Sequence, residues 1–337
     1  MNMTQICFSE IGTVIYEQKK ADFSLNADEM LIRTCYSLVS AGTELAKLTG
    51  LQQVNYPFIP GNRAVGQVIE IGNSMQDFSV GDYVFAHTPH ISHTKPGRFC
   101  VKVPGKMNPC HATLGGLGVV AMTVLRVARP ELGDHAAVIG MGVVGNLCGQ
   151  LLRNAGVEVV AVDTAEKRLE IARRCAIPHT FSANKQNIQT EIMNLTNGRG
   201  VDYVVEATGN PETIDLATSI CMKQGEIILL GSPRGEYATD MVPLLNSVHL
   251  WRPHGSIQLR GAHEWRYPLY PDGYTKHSMA RNAEIFFRLM ESNQVHIEEL
   301  ITHIIPPDQA ESAYDGLLNH PDQYLGVIFD WTNTSCY

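Results

Sequence analysis

A chain of 337 residues is longer than one hydrophobic core usually serves, which predicts two domains. Apolar residues make up 44% and charged residues 18%, the balance of a globular protein rather than a disordered one. A formal net charge of −8 argues against a nucleic-acid partner, because phosphate binding needs a basic face.

The opening residues, MNMTQICFSE, hold no basic stretch followed by an apolar run. Apolar segments such as Ala136–Ile139 and Val157–Val162 are too short to span a bilayer, so no membrane contact and a cytoplasmic location are expected. Short strands are predicted first, at Met30–Ser37 and Val65–Ile71, with a turn feeding another strand over Phe78–Phe85. No sustained helical periodicity is visible in the first hundred residues. From about Cys110 the pattern changes. Strands at Ala136–Ile139, Val157–Val162, Val201–Val205 and Ile227–Leu230 alternate with helices at Val143–Asn154, Glu166–Cys175, Ile188–Leu195 and Glu212–Met222. That alternation predicts an α/β domain with a parallel, doubly wound sheet. The tail reads as helices at Asn282–Met290 and Pro307–Leu318 and a strand at Leu325–Phe329. The eight cysteines (Cys7, Cys35, Cys100, Cys110, Cys148, Cys175, Cys221 and Cys336) include no CxxC pair, so free thiols are expected.

The most informative motif runs from His135 to Gly145, where Gly140, Gly142 and Gly145 form GxGxxG between a buried strand and a helix. Gly140 permits the tight turn, Gly142 lets a pyrophosphate approach the backbone, and Gly145 lets helix and strand pack closely. The helix start at Val143, Val144 and Gly145 attracts the phosphates. Asp163 ends the next strand, where a carboxylate meets the adenosine ribose hydroxyls. A 2′-phosphate there would be repelled by about 1 kcal/mol in water and about 4 at an effective dielectric of 20. The next residue is Thr164, and Arg168 lies one helical turn on, within reach of the ribose. NAD(H) is the expected cofactor.

With these motifs in place, the sequence resembles the medium-chain dehydrogenase/reductase family of zinc alcohol and polyol dehydrogenases. The resemblance rests on Ser40-Ala-Gly-Thr-Glu44, Pro60-Gly-Asn-Arg-Ala-Val-Gly66, Gly81-Asp-Tyr-Val84, the nucleotide fold, Glu206-Ala-Thr-Gly-Asn210 and Leu229-Leu-Gly-Ser-Pro-Arg-Gly235. Gly261-Ala-His-Glu264 and Leu300-Ile-Thr-His303 extend it. It implies a GroES-like, β-rich catalytic domain built from residues 1–115 and 265–337, and a Rossmann domain over 116–264, with the active site in the cleft between them. It also implies that Thr208, Leu230, Gly231, Ser232, Gly261, Ala262 and His263 border the nicotinamide.

The departures from the family matter as much. Zinc-binding members carry a Cys where Ala41 stands, a His where Asn62 stands, and a third ligand near Gly115. Zinc needs about three S, N or carboxylate ligands to leave one position open, so no zinc is expected here. The short Phe85–Phe99 connection also lacks the four-cysteine lobe of a structural zinc. Without a metal, hydrogen-bond donors or a fixed cation must stabilise the developing oxyanion.

By the resemblance Thr43 stands at the proton-relay hydroxyl, where the alternative is a turn threonine. Arg63 either supplies the missing positive charge or forms a carboxylate–guanidinium pair with Glu44, the favoured reading. His87, His90 and His93 stand at three-residue spacing on what is, in relatives, a wall of the substrate pocket. Histidine suits acid–base work near neutral pH, and His90 and His93 are the favoured pair. A relocated metal site on the three is disfavoured, because Pro89 breaks the helix that would align them. The aromatic and cationic run from Trp251 to Tyr274 reads either as a substrate-stacking platform or as a subunit interface.

The expected activity is zinc-independent NAD(H)-linked interconversion of a secondary alcohol (polyol, cyclitol or sugar-like) and its ketone, in a homodimer or homotetramer acting on a small-molecule substrate. A reductase of polarised C=C bonds and a non-catalytic nucleotide-binding regulator are the alternatives.

Overall fold

The computed structural model describes residues 2–333, so Cys336 lies outside the described residues. The chain divides into two compact units. The first holds the residues up to Gly116, then Tyr267–Ser292, then those from Leu300 on; the second holds Leu117–Arg266 and Asn293–Glu299. In this division 293–299 belongs to the second unit.

The first unit opens with an antiparallel hairpin of β1 (Asn2–Glu10) and β2 (Thr13–Lys20), turned at Gly12 with φ +77°. Then come β3 (Met30–Leu38), α1 (Ala41–Leu48), β4 (Ala64–Ile71), β5 (Tyr83–Ala86), β6 (His93–Thr94), β7 (Cys100–Lys102) and α2 (Pro109–Ala112). Helix α1 forms in a stretch that shows no sustained helical periodicity. Its eight residues include the helix formers Ala41, Leu45, Ala46, Lys47 and Leu48, but two turns are too few for a periodic signal to emerge. Helix α3 (Gly115–Ala128) starts in the first unit and continues into the second, its first turn masked in sequence by three glycines.

In the second unit β8 (His135–Ile139), α4 (Val143–Asn154), β9 (Glu158–Asp163), α5 (Glu166–Arg174), β10 (His179–Ser182), α6 (Ile188–Leu195), β11 (Val201–Glu206), α7 (Thr213–Ile220), β12 (Cys221–Leu229), α8 (Val242–His249) and β13 (Gln258–Gly261) follow in turn. Their strands form one parallel sheet in the order β10-β9-β8-β11-β12-β13, the doubly wound arrangement expected. Ala137, Ile139, Val160, Val162, Val204 and Ile227 fill its core. Cys221 and Met222, expected to end a helix, instead begin β12. Cys221 pairs with Val201, and Gln224 at φ +65° re-aims the chain. The short strands β10 and β13 carry too few apolar residues to be read from sequence.

The chain returns to the first unit with α9 (Met279–Glu291), β14 (Ile301–Ile305), α10 (Ala310–Asn319) and β15 (Gly326–Asp330). These last strands extend the first unit's sheet, in the order β14-β15-β3-β4-β5-β7 with β6 paired to β3. Ile6, Phe8, Leu48, Tyr314, Val327 and Phe329 pack in its core. Both chain ends therefore build one β-rich unit, as the resemblance implies. Among the described residues no helix is long and apolar enough to cross a membrane.

Candidate functional site

In the second unit β8 ends at Ile139 and the chain turns through Gly140, whose φ of +96° favours glycine. Gly142 is the N-cap of α4, and a Cβ there would meet nothing within 4 Å, so space lies open over the helix start. A Cβ on Gly145 would sit 1.9 Å from the Gly140 carbonyl oxygen, so only glycine lets α4 come this close. Val143, Val144 and Gly145 thus stand at the positive end of a 12-residue helix.

Asp163 closes β9, beside β8 in the sheet. It is buried, and its carboxylate is tied into the glycine turn itself. Oδ2 accepts from the Met141 N–H at 2.6 Å and Oδ1 from the Ala165 N–H at 2.8 Å. Arg168 Nη1 lies 3.9 Å from Oδ2. Each carboxylate oxygen retains acceptor capacity for a ribose hydroxyl.

A second buried acid organises the other strand ends and was missed as a site residue. Glu206, at the end of β11, accepts from the Thr208 N–H at 2.8 Å, from the Thr208 hydroxyl, and from the Gly209 N–H at 3.0 Å. Its backbone carbonyl accepts from Leu230 and Gly231 at 2.9 and 2.8 Å. A Cβ on Gly231 would lie 2.3 Å from the Gly209 nitrogen, and one on Gly209 2.4 Å from the Ser232 carbonyl oxygen. Thr208, Leu230, Gly231 and Ser232 are therefore gathered at one place. A Cβ on Gly140 would lie 2.6 Å from Thr208 Cγ2, so the glycine turn adjoins them. Gly261 ends β13, Ala262 donates to the Leu229 carbonyl at 2.9 Å, and His263 is exposed. All lie at the carboxyl ends of parallel strands, where doubly wound sheets bind ligands. The signal for Glu206 was available: like Asp163, it is an acid terminating an apolar strand.

In the first unit Thr43 stands half-buried in the first turn of α1 rather than in a loop. The next residue, Glu44, is buried, but Arg63 is not the partner found for it. Its Oε1 accepts from the Ser40 N–H at 2.7 Å; its Oε2 lies 3.0 Å from His90 Nε2 and also accepts from the Tyr314 hydroxyl at 2.5 Å. His90 Nδ1 lies 2.7 Å from Ser37 Oγ, which accepts from Trp331 Nε1 at 2.8 Å. Burial pushes the Glu44 carboxyl up, but His90 and the hydrogen bonds outweigh it and hold it below the usual carboxylate range. The Tyr314 phenol is driven well up by burial and by Glu44.

His90 is fully buried with both ring nitrogens engaged, so it presents no ring nitrogen to solvent. His93 is 4% exposed, its Nδ1 lies 3.1 Å from Ser92 Oγ, and burial with the Arg33 charge lowers its pKa. Both favoured histidines are thus built into the interior. Arg63, 3% exposed, packs against the start of α3 instead of Glu44. A Cβ on Gly116 would lie 2.5 Å from its Cδ and 2.6 Å from its Nη1.

The positions where the resemblance implies zinc ligands offer a methyl group at Ala41, an amide at Asn62 and no side chain at Gly115. A Cβ on Gly115 would lie 2.6 Å from the Phe287 ring, so a ligand side chain is also shut out sterically. This donor set does not fit a zinc ion. Among the described residues no group of three or more His, Cys, Asp or Glu is gathered as a metal site.

The aromatic run from Trp251 to Tyr274 divides between the units. Trp251 is exposed with Lys223 Nζ 3.5 Å above its ring, whereas the Tyr270 hydroxyl bonds both N–H and C=O of Cys100 in the first unit.

The profile of the alcohol dehydrogenase GroES-like domain matches residues 26–132, and that of the zinc-binding dehydrogenases matches residues 143–266. An L-threonine 3-dehydrogenase of Bacillus velezensis is 25% identical over 329 residues, spanning 87% of this chain and 89% of its own. A D-guloside 3-dehydrogenase of Escherichia coli is 27% identical over 281 residues, spanning 80% and 77%. Galactitol-1-phosphate dehydrogenase from Escherichia coli superposes with a TM-score of 0.82 at 16% identity, over 97% of this chain and 99% of that one, a likeness of fold. On the two profiles and the ordered motifs, the chain belongs to the medium-chain dehydrogenase/reductase family and is an alcohol dehydrogenase-like enzyme.

Proposed function

We propose that this enzyme interconverts a secondary alcohol (a polyol, cyclitol or sugar derivative) and its ketone, using NAD(H) and no zinc. The observation that carries the cofactor is Asp163, whose carboxylate closes on the glycine turn through Met141 at 2.6 Å. The pyrophosphate would lie over Val143, Val144 and Gly145 at the start of α4, and the ribose hydroxyls would donate to Asp163. Arg168 would flank the ribose, and Thr208, Leu230, Gly231, Ser232, Gly261, Ala262 and His263 would border the nicotinamide. When bound, NAD⁺ supplies the acceptor for a hydride from the substrate carbon.

Thr43 would hold the reacting oxygen through its hydroxyl, and the Arg63 guanidinium would supply the fixed positive charge for a developing oxyanion. His90 serves the fold by joining Ser37 to Glu44, which fixes the turn carrying Thr43. The threonine and guloside dehydrogenases among the relatives support a hydroxyl-bearing small molecule as substrate.

The test is a turnover screen of butanediols, sorbitol and myo-inositol with NAD⁺, and of enones with NADH and NADPH. Alcohol oxidation with NAD⁺ is the expected result, and Thr43→Val should depress it by about 10²-fold, the scale of one lost oxyanion donor. Turnover of enones alone, with NADPH preferred, would overturn the reading.

A further inference from the structure

The run of three histidines is split by the fold. His90 and His93 are interior, while His87, directly after β5, is half-buried and borders solvent. A residue that passes a proton to water must border solvent, and of the three histidines only His87 does.

Its surroundings are defined. The His87 N–H donates to the Phe99 carbonyl at 3.3 Å, which anchors the backbone beside β7. The ring centroid lies 4.5 Å from that of Phe99 and 6.3 Å from that of Phe85, edge-on at 89°. On the Gly116 side of Phe85 stands the Arg63 guanidinium: the Cβ that Gly116 lacks would lie 2.6 Å from Arg63 Nη1 and 2.9 Å from Phe85 Cζ. His87 and Arg63 thus both stand near one phenyl ring, next to the Gly115–Gly116 pair where the resemblance implies the third zinc ligand. Across Phe99 lie Tyr270 and Cys100. Burial pushes the Cys100 thiol up to about 12 and raises the Tyr270 phenol, so neither competes for a proton in the imidazole range.

We propose that His87 is the catalytic acid–base residue of the alcohol–ketone reaction, and the inference rests on the dehydrogenase reading above. In the oxidative direction the substrate O–H bond breaks and its proton passes to the imidazole and on to water. The C–H bond breaks with its electron pair, the hydride goes to the nicotinamide ring, and C=O forms. The substrate is oxidised and NAD⁺ reduced. His90 and His93 take no part.

His87→Gln is expected to lower kcat with NAD⁺ and the active alcohol of the panel by about 10²–10⁴-fold, the usual cost of a lost acid–base group. NADH binding, read by fluorescence, and thermal stability should be unchanged. Free imidazole should restore turnover to His87→Ala. A readout independent of any variant's folding is carbethoxylation of the wild-type protein by diethyl pyrocarbonate. Inactivation should map by mass spectrometry to His87 and leave His90 and His93 unmodified. Full turnover in His87→Gln, or inactivation mapping to another residue, overturns the assignment and leaves the dehydrogenase reading standing. A wild-type protein that oxidises no alcohol with either dinucleotide sinks both.

Discussion

The glycine turn of the second unit and the Glu44–Arg63 region of the first are both sites inherited from one family, yet they are built by opposite means. The turn is made by backbone. Gly140, Gly142 and Gly145 shape it, and the acidic side chain tied to it, Asp163, is held by two backbone N–H groups. The Glu44 region is made by side chains from distant parts of the chain: Ser37, His90, Tyr314 and Trp331 all serve one carboxylate or its neighbour. A backbone site tolerates almost no change in residue type, because its atoms meet at contact distance. A side-chain site can exchange one set of donors for another, because each partner is carried by a separate side chain.

The comparison breaks most sharply at Gly145. Adding a single methyl group places a carbon 1.9 Å from the Gly140 carbonyl oxygen, backbone against backbone. Gly145→Ala should cost at least about 3 kcal/mol, at or beyond the top of the usual overpacking range. Chemical denaturation measures the loss, and NADH titration should show binding abolished. A variant with wild-type stability and affinity would mean that the turn is not this tight.

Tyr314→Phe probes the side-chain site at the next scale. It removes one donor from a buried carboxylate, a loss of about 1–3 kcal/mol at neutral pH. The sign of the pH dependence follows from Glu44, whose folded pKa is held below its ordinary value. Its stabilising contribution is therefore complete above the unfolded pKa and is lost as pH falls through the folded one. With the phenol gone, the folded pKa rises, so acid unfolding should begin at higher pH than in the wild type. Below the wild-type folded pKa the two proteins should converge. Urea midpoints for both proteins, taken stepwise from neutral to acid pH, test this; a gap that does not close assigns the loss to packing alone.

The same contrast explains what could be read from sequence. Helix α4 has the predicted ends, because a strand, three glycines and an amphipathic helix are all local signals. The Glu44 site was not legible. Tyr314 lies 270 residues from Glu44, and Trp331 lies 294 from Ser37, so no local pattern joins them. The histidine run was seen, but spacing cannot say which ring turns inward. Glu206 lay between these cases, at the end of a predicted strand, with its role visible only once two N–H groups and a hydroxyl were found around its carboxylate.

Asp163→Ala gives a smaller effect. The wild type should bind NADH at least tenfold more tightly than NADPH, about 1.4 kcal/mol, and the alanine variant should narrow that ratio. Equal wild-type affinities would remove the argument from charge at the ribose. Because Asp163 also bonds the Met141 and Ala165 N–H groups, the variant's NADH affinity should fall as well. The selectivity ratio, rather than either affinity alone, carries the result.

The smallest expected effect is that of removing metal, which should do nothing. At Ala41, Asn62 and Gly115 the chain offers no thiolate, imidazole or carboxylate, and Phe287 occupies the space a longer residue at 115 would need. Arg63 Nη1 stands close by, and a fixed cation there opposes a divalent ion by simple repulsion. His90 is no substitute ligand, since one ring nitrogen meets Ser37 and the other Glu44. Purified protein should therefore contain well under one zinc per chain, and prolonged chelation should leave both the thermal midpoint and alcohol turnover where they were. Stoichiometric zinc by elemental analysis, lost together with activity on chelation, would refute the side-chain half of the comparison. His87 would then have to be examined as a ligand rather than as an acid–base group, and Arg63→Gln would separate the two cases. Removing the cation should strengthen zinc binding if a metal belongs there, and should depress turnover if the guanidinium has taken its place.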